Sequence, residues 1–132
     1  MDMDTSTFSG LGAIGQISVN VHDLAKATAF YRDTLGMKHL FDVPGHMSFF
    51  DANGIRLMLA IPEKREFDHP GSIIYFRVKD IQSAHRVLVD RGARFERVPT
   101  LVAPMKDHDL WMAFFRDIDN NLLALMSEVP KP

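Results

Sequence analysis

Three uncharged hydrogen-bonding side chains, Gln16, Ser18 and Asn20, stand at alternate positions of "QISVNVHD". Alternation puts them on one face of a strand, opposite Ile17, Val19 and Val21. Amides and hydroxyls both donate and accept hydrogen bonds. A face made of them suits a cavity that holds a polar molecule better than bulk water, where charged side chains are the usual choice. Arg56 shares strand parity with Met58 in "IRLMLAI", and Arg77 shares it with Ile73 in "SIIYFRVKD". Turned inward, a guanidinium grips an anion through paired hydrogen bonds; at a sheet edge it reaches for solvent.

The six histidines, at 22, 39, 46, 69, 85 and 108, include no pair at the H-x3-H spacing with which a helix holds a metal. His22, His69 and His85 read as surface or capping residues. His46 opens a strand, and His108 in "MKDHDLW" falls in a long loop after Pro99 and Pro104. At a cleft mouth these two imidazoles would move protons; otherwise they are loop residues. The loop leads to the only Trp, Trp111, and on to Met112 and Phe114. With Met58, Tyr75 and Met126, these make either a soft apolar pocket wall or ordinary core. Asp23 and Asp80 are helix caps rather than a catalytic carboxylate pair.

Composition narrows the classes. There is no cysteine, which removes disulfides and thiolate chemistry. Fifteen Lys and Arg against 17 Asp and Glu, with no basic run, supply no concentrated field for nucleic acid. No apolar run is long enough for a membrane helix. The opening "MDMDTSTFSGLG" lacks the basic and apolar regions of a signal peptide, so a cytoplasmic protein with a flexible leader over residues 1–11 is expected.

The elements that must position these residues come in a repeated order. The first strand is followed by "HDLAKATAFYRDTLGM", a helix of about three turns capped by Asp23 and stopped at Gly36. "MKHLFDV", "HMSFFDA" and "IRLMLAI" follow as strands, the last two joined by "DANG", a strong hairpin signal. After a charged, turn-flanked linker at 62–71 the order begins again. Asp80 lies on Asp23 at an offset of 57, and Gly92 on Gly36 after a one-residue deletion. "FERVPTLV", "LWMAFFRD" and "NLLALMSEV" complete the copy. The expectation is an α+β domain of two βαβββ modules, 12–61 and 72–129, whose sheets curl around a cleft.

These residues resemble a known family. "ISVNVHDLAKATAFYRDTLGM" is similar to the opening signature of the vicinal oxygen chelate superfamily, and "FFRDIDNNLLAL" resembles its closing one, with Ile118 in place of Pro. The family includes glyoxalase I (lactoylglutathione lyase), methylmalonyl-CoA epimerase, extradiol dioxygenases, and fosfomycin- and bleomycin-resistance proteins. In its metal enzymes one ligand comes from each of four strands. Carried over residue by residue, those positions are Gln16, Met58, Ile73 and Ala124. Gln16 is compatible with a ligand role. Met58 is a soft donor, and Ile73 and Ala124 have none to offer a hard cation. Glu128 shares the face of Ala124 but lies about 13 Å further along an extended strand. Phe114 takes the place of an inward aromatic residue and lacks a hydroxyl.

The resemblance with these substitutions implies a metal-independent, small-molecule-binding homodimer, its pocket lined by the residues above, with no cofactor. The ligand expected is a metabolite or antibiotic, with no nucleic acid or membrane partner. The alternative is a lyase, isomerase, epimerase or dioxygenase-like enzyme that holds a divalent metal in a rearranged site.

Overall fold

The computed structural model describes residues 8–132; residues 1–7 of the expected leader lie outside it. β1 (Gln16–Asn20) runs into α1 (Leu24–Ala29), where the Asp23 side chain accepts a hydrogen bond from the Lys26 N–H at 3.0 Å. The helix does not keep its α form for the expected three turns. From Phe30 to Thr34 it widens into a π turn, with Leu35 N–H donating to the Phe30 carbonyl and Met37 N–H to that of Tyr31. Such a widening departs from regular helix geometry and needs a tertiary reason. The buried hydroxyl of Tyr31 supplies one below.

β2 (Lys38–Val43), β3 (Met47–Ala52) and β4 (Ile55–Ala60) complete the first sheet in the order β1-β4-β3-β2. β1 pairs parallel with β4, and the other pairs are antiparallel. Asn53 and Gly54 make the β3–β4 turn with φ of 58° and 99°, the conformation for which Asn-Gly is suited.

A segment containing one short 3₁₀ turn, Arg65–Phe67, leads to β5 (Ile74–Arg77) and α2 (Ile81–Asp90). Asp80 caps α2 by accepting from Ser83 N–H at 3.1 Å. Gly92 ends it at φ 95°, with Gly92 N–H to Val89 and Ala93 N–H to Leu88, the bonding of a Schellman cap. β6 (Arg94–Pro104), β7 (His108–Arg116) and β8 (Leu122–Pro130) form the second sheet in the order β5-β8-β7-β6. β6 and β7 run longer than their sequence signals. Pro99 lies within β6 at a register shift, and Pro104 ends the strand, which is at the edge of its sheet. The long loop expected before Trp111 is therefore three residues, 105–107.

Each sheet turns one face to a helix. Val19, Phe50, Leu57 and Leu59 in the first, and Ala113, Phe115, Leu123 and Leu125 in the second, are buried in one continuous core with Tyr31, Ile81 and Leu88. Burying such side chains contributes about 1.5–3 kcal/mol each. The opposite, open face of each sheet carries the alternate residues.

Polar contacts also join the halves. Tyr31 donates its hydroxyl to Asp117 Oδ2 at 2.7 Å, across 86 residues, and both side chains are buried. Asp117 also accepts from the backbone N–H groups of Asp119 and Asn121 and from the Asn121 amide, which in turn donates to the Asn20 carbonyl. Burial, and then the adjacent Asp117 carboxylate, push the Tyr31 hydroxyl's pKa far up, so it stays protonated and donates. On the surface above, His22 bridges Asp68 (2.9 Å) and Asp119 (3.0 Å). It is the surface residue its position suggests, and it also bridges two segments.

Candidate functional site: the open faces of the two sheets

Register fixes which residues meet on each open face. In the first sheet Gln16 lies opposite Arg56 and Ser18 opposite Met58, while Met58 also faces Phe49. Gln16 Nε2 lies 3.7 Å from Met58 Sδ, a weak contact for an amide that faces no better acceptor. Asn20 does not look into free space as expected. Its amide donates to the backbone carbonyls of Phe67 (2.6 Å) and His69 (3.3 Å), so the connecting segment crosses that end of the strand.

Arg56 defines the other end. Its guanidinium lies 5.6 Å from the centres of both Phe41 and Phe49, and those rings stack 4.5 Å apart. Asp51, its register partner, turns its carboxylate to the Gly54 N–H instead. Among the described residues no carboxylate pairs with Arg56. Cation–π contact holds the guanidinium in place and leaves its N–H edges free for an anion. Phe41 and Phe49 were not among the expected site residues. The signal was present: counting back from the Asn53-Gly54 turn pairs Phe49 with Met58.

The second open face is apolar and aromatic. Tyr75 meets Phe114 edge to face at 6.0 Å, Phe114 pairs in register with Ala124, and Met112 with Met126. Ile73 precedes β5 and lies outside its ladder. Arg77 reaches Glu128 at 3.4 Å, an exposed pair that neutralises it. Trp111 is not on this face. It has the parity of Ala113 and Phe115 and packs against the core beneath the helix. Met112 and Trp111 are neighbours on one strand and point opposite ways.

The two mouth histidines are placed apart. His46 lies in the β2–β3 turn, bonded through its backbone to Val43 and Ile61. His108 begins β7 opposite Pro130 and holds the Asp107 carboxylate at 2.7 Å, drawing that group's pKa down. His39 does the same to Asp42, also at 2.7 Å.

Gln16 and Met58 share the open face of the first sheet and Ala124 pairs with Tyr75 and Phe114, while Ile73 precedes β5; their donors do not suit a divalent cation. Gln16 offers one amide oxygen, Met58 a thioether, and Ile73 and the fully buried Ala124 nothing. Among the described residues no three His, Asp or Glu side chains converge as a metal set. Several residues of the open faces stay exposed within one chain. Tyr75 is 43% exposed, Ile73 39% and Phe41 45%, and apart from those of Asn20 the side-chain contacts above stay within their own sheets. Two cavities, of about 370 and 550 Å³, occur elsewhere and are lined by neither the Gln16 row nor the Tyr75–Phe114 cluster.

Two four-stranded sheets built from one repeated module, each with a helix on one face, define the class to which this chain belongs. Residues 13–125 match the Glyoxalase/Bleomycin resistance protein/Dioxygenase superfamily, and the protein is a member of it. A solved superfamily member from Sphaerobacter thermophilus is 24% identical and superposes with a TM-score of 0.75, over 89% of this chain and 98% of that one. Lactoylglutathione lyase from Agrobacterium tumefaciens is 21% identical, with a TM-score of 0.73 and coverage of 89% and 95%. TnmS3, an antibiotic binding protein from a Streptomyces species, is 23% identical, with a TM-score of 0.73 and coverage of 94% and 100%. At these identities the likeness is one of fold, and one fold carries many chemistries. No helix among the described residues is long and apolar enough to cross a membrane.

Proposed function

We propose that the protein binds a flat, amphipathic organic anion, without a metal, between the open face of its first sheet and the open face of a second sheet. The observation that carries this reading is Arg56: an exposed guanidinium fixed over two stacked phenyl rings, with no carboxylate partner among the described residues, beside the Gln16 amide, which has only a weak contact to Met58 Sδ. Such a surface offers the exposed Phe41 ring and the guanidinium plane to a planar ligand, and a fork of N–H groups to its acid. The Tyr75, Phe114, Met112 and Met126 face supplies the apolar counterpart. Because both faces stand open in one chain, two copies complete the pocket, each giving one face to its partner. The antibiotic-binding description of TnmS3 is in keeping with a small-molecule role on this scaffold.

The rival reading is a lyase or isomerase of the lactoylglutathione lyase type, which the structural likeness and Gln16 favour. Its chemistry, stabilising an enediolate beside a carbonyl, calls for a set of hard donors that these positions do not provide.

A titration of 2-naphthoate and neutral 2-naphthamide followed by calorimetry tests the proposal. The acid is expected to bind at least tenfold more tightly than the amide, and Arg56→Gln is expected to erase that difference. Equal affinities, or no binding, would overturn the ligand class. Elemental analysis after incubation with nickel, cobalt, zinc, manganese or iron(II) addresses the rival. Stoichiometric metal that survives dialysis and falls in Gln16→Ala would make the protein a metal enzyme. Sedimentation equilibrium is expected to give a dimer.

A further inference from the structure

On the helix side of the second sheet, away from both open faces, lies the cavity of about 370 Å³. Its walls come from both modules. Leu35 and Met37 follow the π turn of the first; Ala84, Val87 and Leu88 belong to α2 of the second; Phe115 and Leu125 belong to the second sheet. The volume is at the small end of the roughly 300–1,000 Å³ typical of ligand pockets. Phe115 and Leu125 are almost wholly buried, so the cavity reaches the core.

One charge on the lining is without an ionic partner. Arg91 donates Nη1–H to the Thr34 carbonyl at 3.1 Å, a bond that spans the seam between the modules. Among the described residues no carboxylate pairs with it. Asp33, the nearest acid in sequence to that carbonyl, is engaged by Arg32 at 2.8 Å. Arg77 also lines the cavity but directs its guanidinium to Glu128. Four of the five guanidinium N–H groups of Arg91 remain for something else.

We infer that this cavity is a second binding site, for a small monocarboxylate with an apolar tail, whose acid meets Arg91 and whose chain lies among Leu35, Met37, Leu88, Phe115 and Leu125. Walls of this kind favour burial of an alkyl or aryl group. A single cation matches a single negative charge, and a more highly charged ligand would leave a second charge desolvated and unpaired. The bond to Thr34 holds the arginine before the ligand arrives, so less side-chain freedom is lost on binding. A ligand there touches both modules at once and stabilises their junction by mass action.

Octanoate is the probe, with 1-octanol as its neutral counterpart, followed through the amide resonances of Ala84 and Leu88 and by calorimetry on the full chain. Expected is saturable binding of one octanoate per chain, with shifts at these amides and a rise in Tm, and at least tenfold weaker binding of octanol. Arg91→Gln is expected to weaken octanoate at least tenfold, and Ala84→Leu, which fills the cavity, to abolish it. Should Ala84→Leu fold poorly, Val87→Met at the exposed rim serves the same purpose. Arg56→Gln is expected to leave octanoate binding unchanged. The inference is overturned by absence of saturable binding, by equal affinity in Arg91→Gln, or by loss of binding in Arg56→Gln, which would move the site to the open face.

Discussion

Asp23 and Asp80 begin the helices of the two modules with almost identical backbones, φ/ψ of −121°/99° and −122°/97°. Their helices then diverge. The second runs ten regular residues to a glycine cap, while the first gives up α geometry after six and widens into a π turn. The strands diverge too: β2, β3 and β4 have six residues each, and β6, β7 and β8 have eleven, nine and nine. What the two modules share is therefore the frame, namely strand order and caps. What differs is where one half must meet the other. The π turn carries Tyr31, whose hydroxyl reaches into the turn at the end of β7, and the second helix has no counterpart to that bond among the described residues.

The largest expected effect strikes this asymmetry at its acceptor. Asp117→Ala leaves the Tyr31 hydroxyl, two backbone N–H groups and the Asn121 amide without their shared partner. A loss on the order of 3–5 kcal/mol is expected in urea unfolding. A loss below about 1 kcal/mol would mean that the junction tolerates water and that the asymmetry has another cause. Tyr31→Phe removes one bond to the carboxylate and leaves the rest, so about 1.5–3 kcal/mol is expected. Shared features should respond alike. Asp23→Ala and Asp80→Ala are each expected to cost about 1 kcal/mol. A cost at one cap more than twice that at the other would break the equivalence of the two helix starts.

The smallest effect is the exposed bridge at His22. Its pKa is raised chiefly by the hydrogen bond to Asp68, with Asp119 adding to it. A raised folded-state value means the bridge stabilises fully below the unfolded value near 6.5 and is lost as pH climbs through the higher folded one. A shallow decline in Tm is expected over that window, and His22→Gln should flatten it. An unchanged slope in the variant would remove His22 from the junction's pH response.

Much of this was legible in the residue order. Caps, the Asn53-Gly54 turn and period-two alternation are local signals, and they locate the sheets, the helices and the parity of Gln16, Met58, Tyr75 and Phe114. Where the reading failed, the deciding partner was distant. Asn20 has the right parity for a cavity, yet a segment 47 residues on takes its amide. Trp111 is the exception: it drew attention as the only tryptophan after two prolines, although alternation within the expected strand already turned it away from Met112 and Phe114. The Arg56 platform needed Phe41, two strands away, before its guanidinium had a seat.

The bond from Tyr31 to Asp117 also sets a timetable. Synthesis runs from the first module to the second at about 5–20 residues per second, so the acceptor arrives on the order of ten seconds after the donor. Until then the hydroxyl has only water for a partner, and a first module that closed early would trap it dry. The junction between the modules therefore closes only after the turn that follows β7 has been made.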